Sequence, residues 1–224
     1  MPGNVTKAAA VLLGLGALAY TSWVLEVLVR TGLDPVRTYV SELAAADQPL
    51  GGLFRATDLA AGLLVLAGAL TGLAATGRQG RWALGGWIAL AVFGAATAVD
   101  SRLPLSCAPT ADPECAARED AGLVPATHTA HAVSSSLAVT GAVAAMIALT
   151  VAARRYGHWR PLARTGPALV VLELAATAWT LAAVAAFEAG RGTWALGAGQ
   201  RLQVLLVAVW LAVLAASLVR RRPR

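Results

Sequence analysis

Six long apolar stretches, joined by connections whose charge changes sign from one side to the other, constrain this chain more than any motif in it. They run roughly over 8–29, 52–76, 82–99, 126–152, 163–188 and 200–219, each near the ~20 residues a helix needs to cross a bilayer. In hydrocarbon every backbone donor and acceptor must be satisfied within the segment, so such stretches span as helices. The segments before span one, between two and three, between four and five, and after six carry Lys7, Arg78, Arg81, Arg154, Arg155 and the arginines from Arg220 onward, with no Asp or Glu. Short loops rich in Lys and Arg stay on the cytoplasmic side, which puts both termini inside. The alternate connections, 30–51, 100–125 and 189–199, then face outward and hold most of the carboxylates. The expectation is an all-α polytopic protein of the plasma membrane: one six-helix membrane domain over 1–224, with both termini cytoplasmic.

Composition agrees. Hydrophobic residues make up 58% of the chain and charged ones 13%, about half the soluble norm of ~25%. The net charge of +6 does not indicate a nucleic-acid partner. No soluble module is left to carry a basic, base-reading face, and the arginines flank apolar spans, where they set orientation and meet anionic lipid headgroups. The bilayer itself is the partner the sequence names. Lys7, the apolar run after it and Ala17-Leu18-Ala19 have the outline of a signal peptide. The run continues through Leu28, past the 7–15 residues usual for such a segment, so an uncleaved first span is expected.

The short turns at 77–81 and 153–162 predict antiparallel pairs of spans two with three and four with five. Gly68 and Gly72 in span two, and Gly85, Gly86 and Gly94 in span three, suit close helix approach. Trp23 and Trp194 on one side, with Trp82, Trp87 and Trp159 on the other, suit interfacial aromatic belts. Residues Val36–Ala46 predict one interfacial helix containing Ser41 and Glu42, and Glu26 precedes Arg30 by the four residues that favour a helical ion pair. Cys107 and Cys115 both fall in the third connection, on the oxidising side, where a disulfide is expected; closing so small a loop contributes ~2–3 kcal/mol in the loop-entropy picture.

The residues suited to chemistry gather at one membrane level. His128, His131 and Ser135 share one face of span four at i, i+3 and i+7. Span three ends there with Asp100, Ser101 and Arg102, and span two begins there with Arg55 and Asp58. Two imidazoles and a carboxylate are a zinc donor set with a position left for water, which makes His128, His131 and Asp100 the metal candidates and Zn the candidate cofactor. Asp58 or Asp100 would accept a proton, Ser135 would supply a hydroxyl, and Arg55 or Arg102 would position a phosphate or oxyanion. The structural alternative is a pair of interfacial histidines bonded to loop groups, with Arg55 and Asp58 as a salt bridge. The glutamate that stands between the histidines of a zincin helix is absent. Glu173 falls about ten residues into span five, near the midplane at ~1.5 Å per residue, with Thr177 and Thr180 on the same face. An acid at that depth is protonated, paired or turned to a polar interior. It reads either as a proton or substrate site or as a carboxyl that locks helix packing.

Ser41-Glu42-Leu43 before span two, Phe54-Arg55-Ala56-Thr57-Asp58 entering it, Asp100 closing span three and His128 with His131 entering span four together resemble the prokaryotic membrane family called domain of unknown function 998. That resemblance covers nearly the whole chain and implies the six-span fold without an activity. A second likeness is to the integral-membrane hydrolases that include the alkaline ceramidases and the progestin and adiponectin receptor family. It implies serine, aspartate and histidine side chains around a zinc, with Ser41 or Ser135, Asp58 or Asp100, and His128 with His131 in those places. This chain has six spans where those have seven, and two histidines where those have three. The function expected is metal-assisted hydrolysis of a lipid or lipid-linked substrate at an outward-facing site. The alternatives are a non-catalytic protein that binds a lipid headgroup or a partner protein, and a small transporter that uses Glu173 as its proton site.

Overall fold

The computed structural model describes residues 2–76, 80–157 and 159–219, which form seven α-helices and no strand. They are α1 (Pro2–Tyr20), α2 (Gly51–Thr76), α3 (Arg81–Asp100), α4 (Pro113–Asp120), α5 (Ala126–Tyr156), α6 (Arg160–Glu188) and α7 (Leu196–Val219). All but α4 are long and apolar enough to cross a membrane, the first span continuing from α1 to Val27. Local chemistry sets several boundaries. The Asp112 side chain accepts from the Glu114 N–H and Pro113 takes the first position of α4, where its missing donor is not needed. Gly157 adopts the left-handed conformation that ends α5, after Arg154 and Arg155 in the last turn.

The six spans close into a ring: α1 packs on α2, α2 on α3, α3 on α5, α5 on α6, α6 on α7, and α7 back on α1. Spans two and three pair closely as expected, whereas α5 packs far more extensively on α3 than on its turn-linked neighbour α6. Glycine explains the tightest seams. A Cβ on Gly94 would lie 2.5 Å from the Leu66 nitrogen, and one on Gly141 would lie 2.8 Å from the Phe93 nitrogen. The helices α2, α3 and α5 therefore touch backbone to backbone. Gly68, Gly72 and Gly86 likewise make room for Leu13, Trp87 and Leu149, while Gly85 faces open space.

Several local expectations are corrected. The first span is not one helix: α1 ends at Tyr20 and a 3-10 helix covers Ser22–Val27. At the break the Thr21 hydroxyl donates back to the Leu18 carbonyl, and Ser22 donates to Thr57 on α2. Residues Val36–Ala46 give a short 3-10 helix over Val40–Ala44 instead of one interfacial helix, because the polar atoms around it bond to other segments. The Val40 N–H donates to Gln200 and the Ala46 N–H to the Leu105 carbonyl. Glu26 pairs with Arg201 of α7, not with Arg30. Trp87 and Trp159 do not belong to an interfacial belt: both are fully buried and meet edge to face at 6.1 Å. Arg78, His158 and Arg220–Arg224 lie outside the described residues.

The long connections meet at one end of the ring, called the mouth here. The Ala198 N–H donates to the Val36 carbonyl, and Ala46 to Leu105, so the connection before α2 is stitched both to the start of α7 and to the segment after α3. Cys107 and Cys115 are joined, with their sulfurs 1.98 Å apart. Between them, the backbone N–H and hydroxyl of Thr110 donate to the two carboxyl oxygens of the buried Glu42, at 2.8 and 2.5 Å. Burial pushes the Glu42 carboxyl up to about 7 from its ordinary 4.5, against the opposing pull of the Thr110 hydrogen bonds.

Candidate functional site

The ring encloses a cavity of about 520 Å³, lined by residues of all six spans, Tyr20, Ser22 and Trp23 coming from the first, and by the connections before α2 and between α3 and α5. Its polar groups form two poles. At the mouth lie Asp58 of α2, Asp100 of α3, and His131 and Ser135 of α5, with Ser41 nearby from the 40–44 turn. Deeper in the ring lie Glu173, Thr177 and Thr180 of α6 and Gln203 of α7. The rest of the wall is mostly apolar, with Phe54, Val139, Val184, Val204 and Val207 among its residues.

Asp100 is the hub of the mouth pole. Its Oδ1 lies 3.1 Å from Nδ1 of His131 and accepts a very short hydrogen bond from the Ser134 hydroxyl. The imidazole contact is close but bent away from the ring N–H axis. With Nδ1 turned to Asp100, Nε2 is the ring nitrogen left to the cavity. Asp58 lines the same cavity as Asp100 and His131. The Arg55–Asp58 salt bridge of the structural alternative does not form, because the Arg55 guanidinium donates to the Ala44 and Ala45 carbonyls at 2.7 and 3.2 Å. Arg55 thus caps the 40–44 turn, and Arg102 is exposed; neither lines the cavity. The Ser135 hydroxyl lines it but donates to the His131 carbonyl at 2.7 Å.

His128 and His131 share a helix face as expected, yet they serve different partners. The His128 ring is 2% exposed. Its Nδ1 accepts from the Ser106 N–H at 3.1 Å and lies 2.9 Å from the Ser106 hydroxyl, while Nε2 faces Glu119 at 3.3 Å. It fastens the disulfide loop to α5. Among the described residues no three His, Cys, Asp or Glu side chains come together as a metal-binding group. As arranged, His128, His131 and Asp100 do not fit a shared zinc ion, since one imidazole is already spent on Ser106.

At the deep pole Glu173 is 1% exposed. The Gln203 amide donates to the Thr177 hydroxyl at 2.8 Å, and that hydroxyl donates weakly to Oε1 of Glu173 at 3.4 Å. Oε2 of Glu173 and the Thr180 hydroxyl have no hydrogen-bond partner among the described residues.

The cavity also opens sideways. Ala132, Ser136 and Thr140 of α5 and Leu181 of α6 line it and are exposed, Leu181 by 64%. At the opposite end the same two helices close up: a Cβ on Gly166 of α6 would lie 2.7 Å from the Thr150 side chain of α5. Pro167 follows inside α6, and a proline inside a helix is where the axis bends. The α5–α6 seam is therefore a wedge, tight at one end and open toward the mouth.

Sequence reasoning missed Ser134, Ser106, Glu119 and the partners of Glu42. Ser134 follows His131 by three residues and was discoverable as a hydroxyl beside the Asp100 level. Glu42 is the only acid within Val36–Ala46, and a lone acid in an apolar segment calls for a buried partner.

The sequence profile of the family described as Protein of unknown function (DUF998) matches residues 12–217. No curated protein and no solved structure matches the chain.

Proposed function

The chain belongs to the DUF998 family, whose description assigns no activity, and from that premise we propose that it hydrolyses a lipid or lipid-linked substrate at the Asp58, Asp100 and His131 pole. The observation that carries this reading is the 3.1 Å contact of Asp100 with Nδ1 of His131 on the wall of a cavity open to the membrane. A carboxylate on one ring nitrogen stabilises the imidazolium that forms when the other nitrogen takes a proton. Water between His131 and Asp58 gives a proton to Nε2 of His131 while its oxygen bonds to the acyl carbon. The bond to the leaving oxygen or nitrogen then breaks, and the leaving group takes that proton back from the imidazolium.

The mouth faces outward in this reading, in the plasma membrane, with both termini cytoplasmic. The Cys107–Cys115 bridge suits an oxidising side, and Arg154 and Arg155 end α5 at the far side. The test is turnover of long-chain acyl esters and amides by the protein in lipid nanodiscs. His131→Ala should cut it by ~10²–10⁴-fold, the usual contribution of a general base. A parent protein no more active than His131→Ala across both substrate types would overturn the proposal. Non-catalytic lipid binding is the second reading. It is favoured by the Ser134 and Ser135 hydroxyls, which donate to Asp100 and to backbone carbonyls and leave neither as a nucleophile on the His131 imidazole.

A further inference from the structure

The whole chain carries a net charge of +6, yet its cavity is acidic. Asp58, Asp100, Glu119, Glu173 and Glu188 line it, with His128 and His131 and, among the described residues, no Lys or Arg. The basic groups nearest to it are committed elsewhere: Arg55 to the Ala44 and Ala45 carbonyls, and Arg201 to Glu26. A cleft lined by one sign of charge focuses its field and concentrates ligands of the opposite sign. Such a wall disfavours an anionic headgroup, and neither Arg55 nor Arg102 lines it.

We infer that the cavity selects a single-chain amphiphile with a protonated amine, and that Glu173 is the counter-ion for that amine. The inference rests on the proposed reading of the cavity as a lipid-substrate site, but not on hydrolysis there. Acidic side chains alone would be thin support; the independent observation is the state of Glu173. This carboxyl is buried on the cavity wall, Thr177 and Gln203 occupy the side of Oε1, and Oε2 has no partner among the described residues. The Thr180 hydroxyl, also on the cavity wall, is likewise unpartnered. A buried acceptor left without a donor is costly, and an ammonium group brings three donors to a carboxylate and a hydroxyl at once. The apolar part of the wall takes the alkyl body, which marks the ligand as organic rather than a bare metal cation. The open α5–α6 seam gives that body a path from the bilayer.

The experiment is equilibrium binding to protein in zwitterionic-lipid nanodiscs at neutral pH, against protein-free nanodiscs, with dodecylamine, dodecanol and dodecanoate. Trp23 on the cavity wall supplies the fluorescence signal. Dodecylamine should bind saturably and about ten- to hundredfold more tightly than the alcohol, the range set by a charge-assisted hydrogen bond. Glu173→Gln should erase that preference, while Glu173→Asp should keep most of it and guard against a mere folding defect. The readout is binding without turnover, which separates this result from any failure of hydrolysis. Saturable binding without preference for the amine would overturn the inference and spare the cavity reading, whereas saturable binding of none of the three would overturn both. Displacement of dodecylamine by millimolar sodium would mark an inorganic cation site and also overturn it.

Discussion

Arg201 and Glu26, 175 residues apart, form a two-pronged ion pair in which Nε and Nη2 each reach a carboxyl oxygen at 2.6 Å. Both side chains are over nine-tenths buried. The same guanidinium donates to the Thr38 carbonyl at 2.8 Å and the Gly197 carbonyl at 3.2 Å, so one side chain ties the end of span one, the 34–39 turn and α7. Removing one partner of a buried pair typically costs about 3–5 kcal/mol, because the other charge is left uncompensated. Arg201→Leu and Glu26→Leu should each lower thermal stability sharply in detergent, and the double variant should lose less than the two single losses added. Additive losses would show that the two charges act independently.

The two histidines should separate in their effects. His128→Ala strips the Ser106 N–H and hydroxyl of their acceptor inside the mouth, a loss of about 1–3 kcal/mol for an unsatisfied buried group. It should be read as increased hydrogen exchange across 106–115. His131→Ala should leave that exchange unchanged and act on turnover. Equal exchange effects from both variants would place both histidines in the fold alone.

Glu42 makes the mouth sensitive to pH. Its folded carboxyl keeps its proton up to about 7, whereas an unfolded one releases it near 4.5. Between those values the folded state holds more protons, so its stability falls as pH rises. The contribution is complete below about 4.5 and gone above about 7, with a ceiling near 3 kcal/mol at 1.36 kcal/mol per unit. The Thr110 amide should exchange faster at pH 8 than at pH 5 after correction for intrinsic rates. Glu42→Gln should flatten that difference, and an unchanged profile in the variant would exclude Glu42 as its source.

The disulfide and the orientation are tested together. A peptide spanning Ser106–Ala116 should be two hydrogens lighter before reduction than after. With both cysteines replaced by serine, single cysteines introduced over 36–47 and 104–122 should react with an impermeant thiol reagent in intact cells. Cysteines at Arg154 and Arg155 should stay unlabelled. Labelling of the arginine positions from outside would reverse the orientation.

Much of this was legible in the sequence, and the reasons are physical. Apolar length, turn length and the spacing of His128, His131 and Ser135 act along one helix, so number and type of spans follow from composition alone. The levels of Asp58, Asp100 and His131 followed from their places at span ends, and the structure brings those three together. Partners across the ring were not legible. Glu26 had a favourable neighbour four residues on at Arg30, and only the closure of α1 on α7 presents it with Arg201. Arg55 and Asp58 had compatible local spacing too, but the carbonyls of the 40–44 turn compete for the guanidinium. His128 read as a ligand until Ser106, from a loop with no periodicity, took its nitrogen.

Ring closure also imposes an order in time. The contacts of α1 with α2, α2 with α3, α3 with α5, α5 with α6 and α6 with α7 each become available as the next span leaves the ribosome. The α1–α7 seam is the one that waits for the final helix. Until then Glu26 has no Arg201, and the nascent chain is an open crescent with an unpaired acid at the exposed end of its first span. A chain stopped before Leu196 should therefore present that acid and the cavity wall to the quality-control machinery of the membrane, while the finished protein hides both.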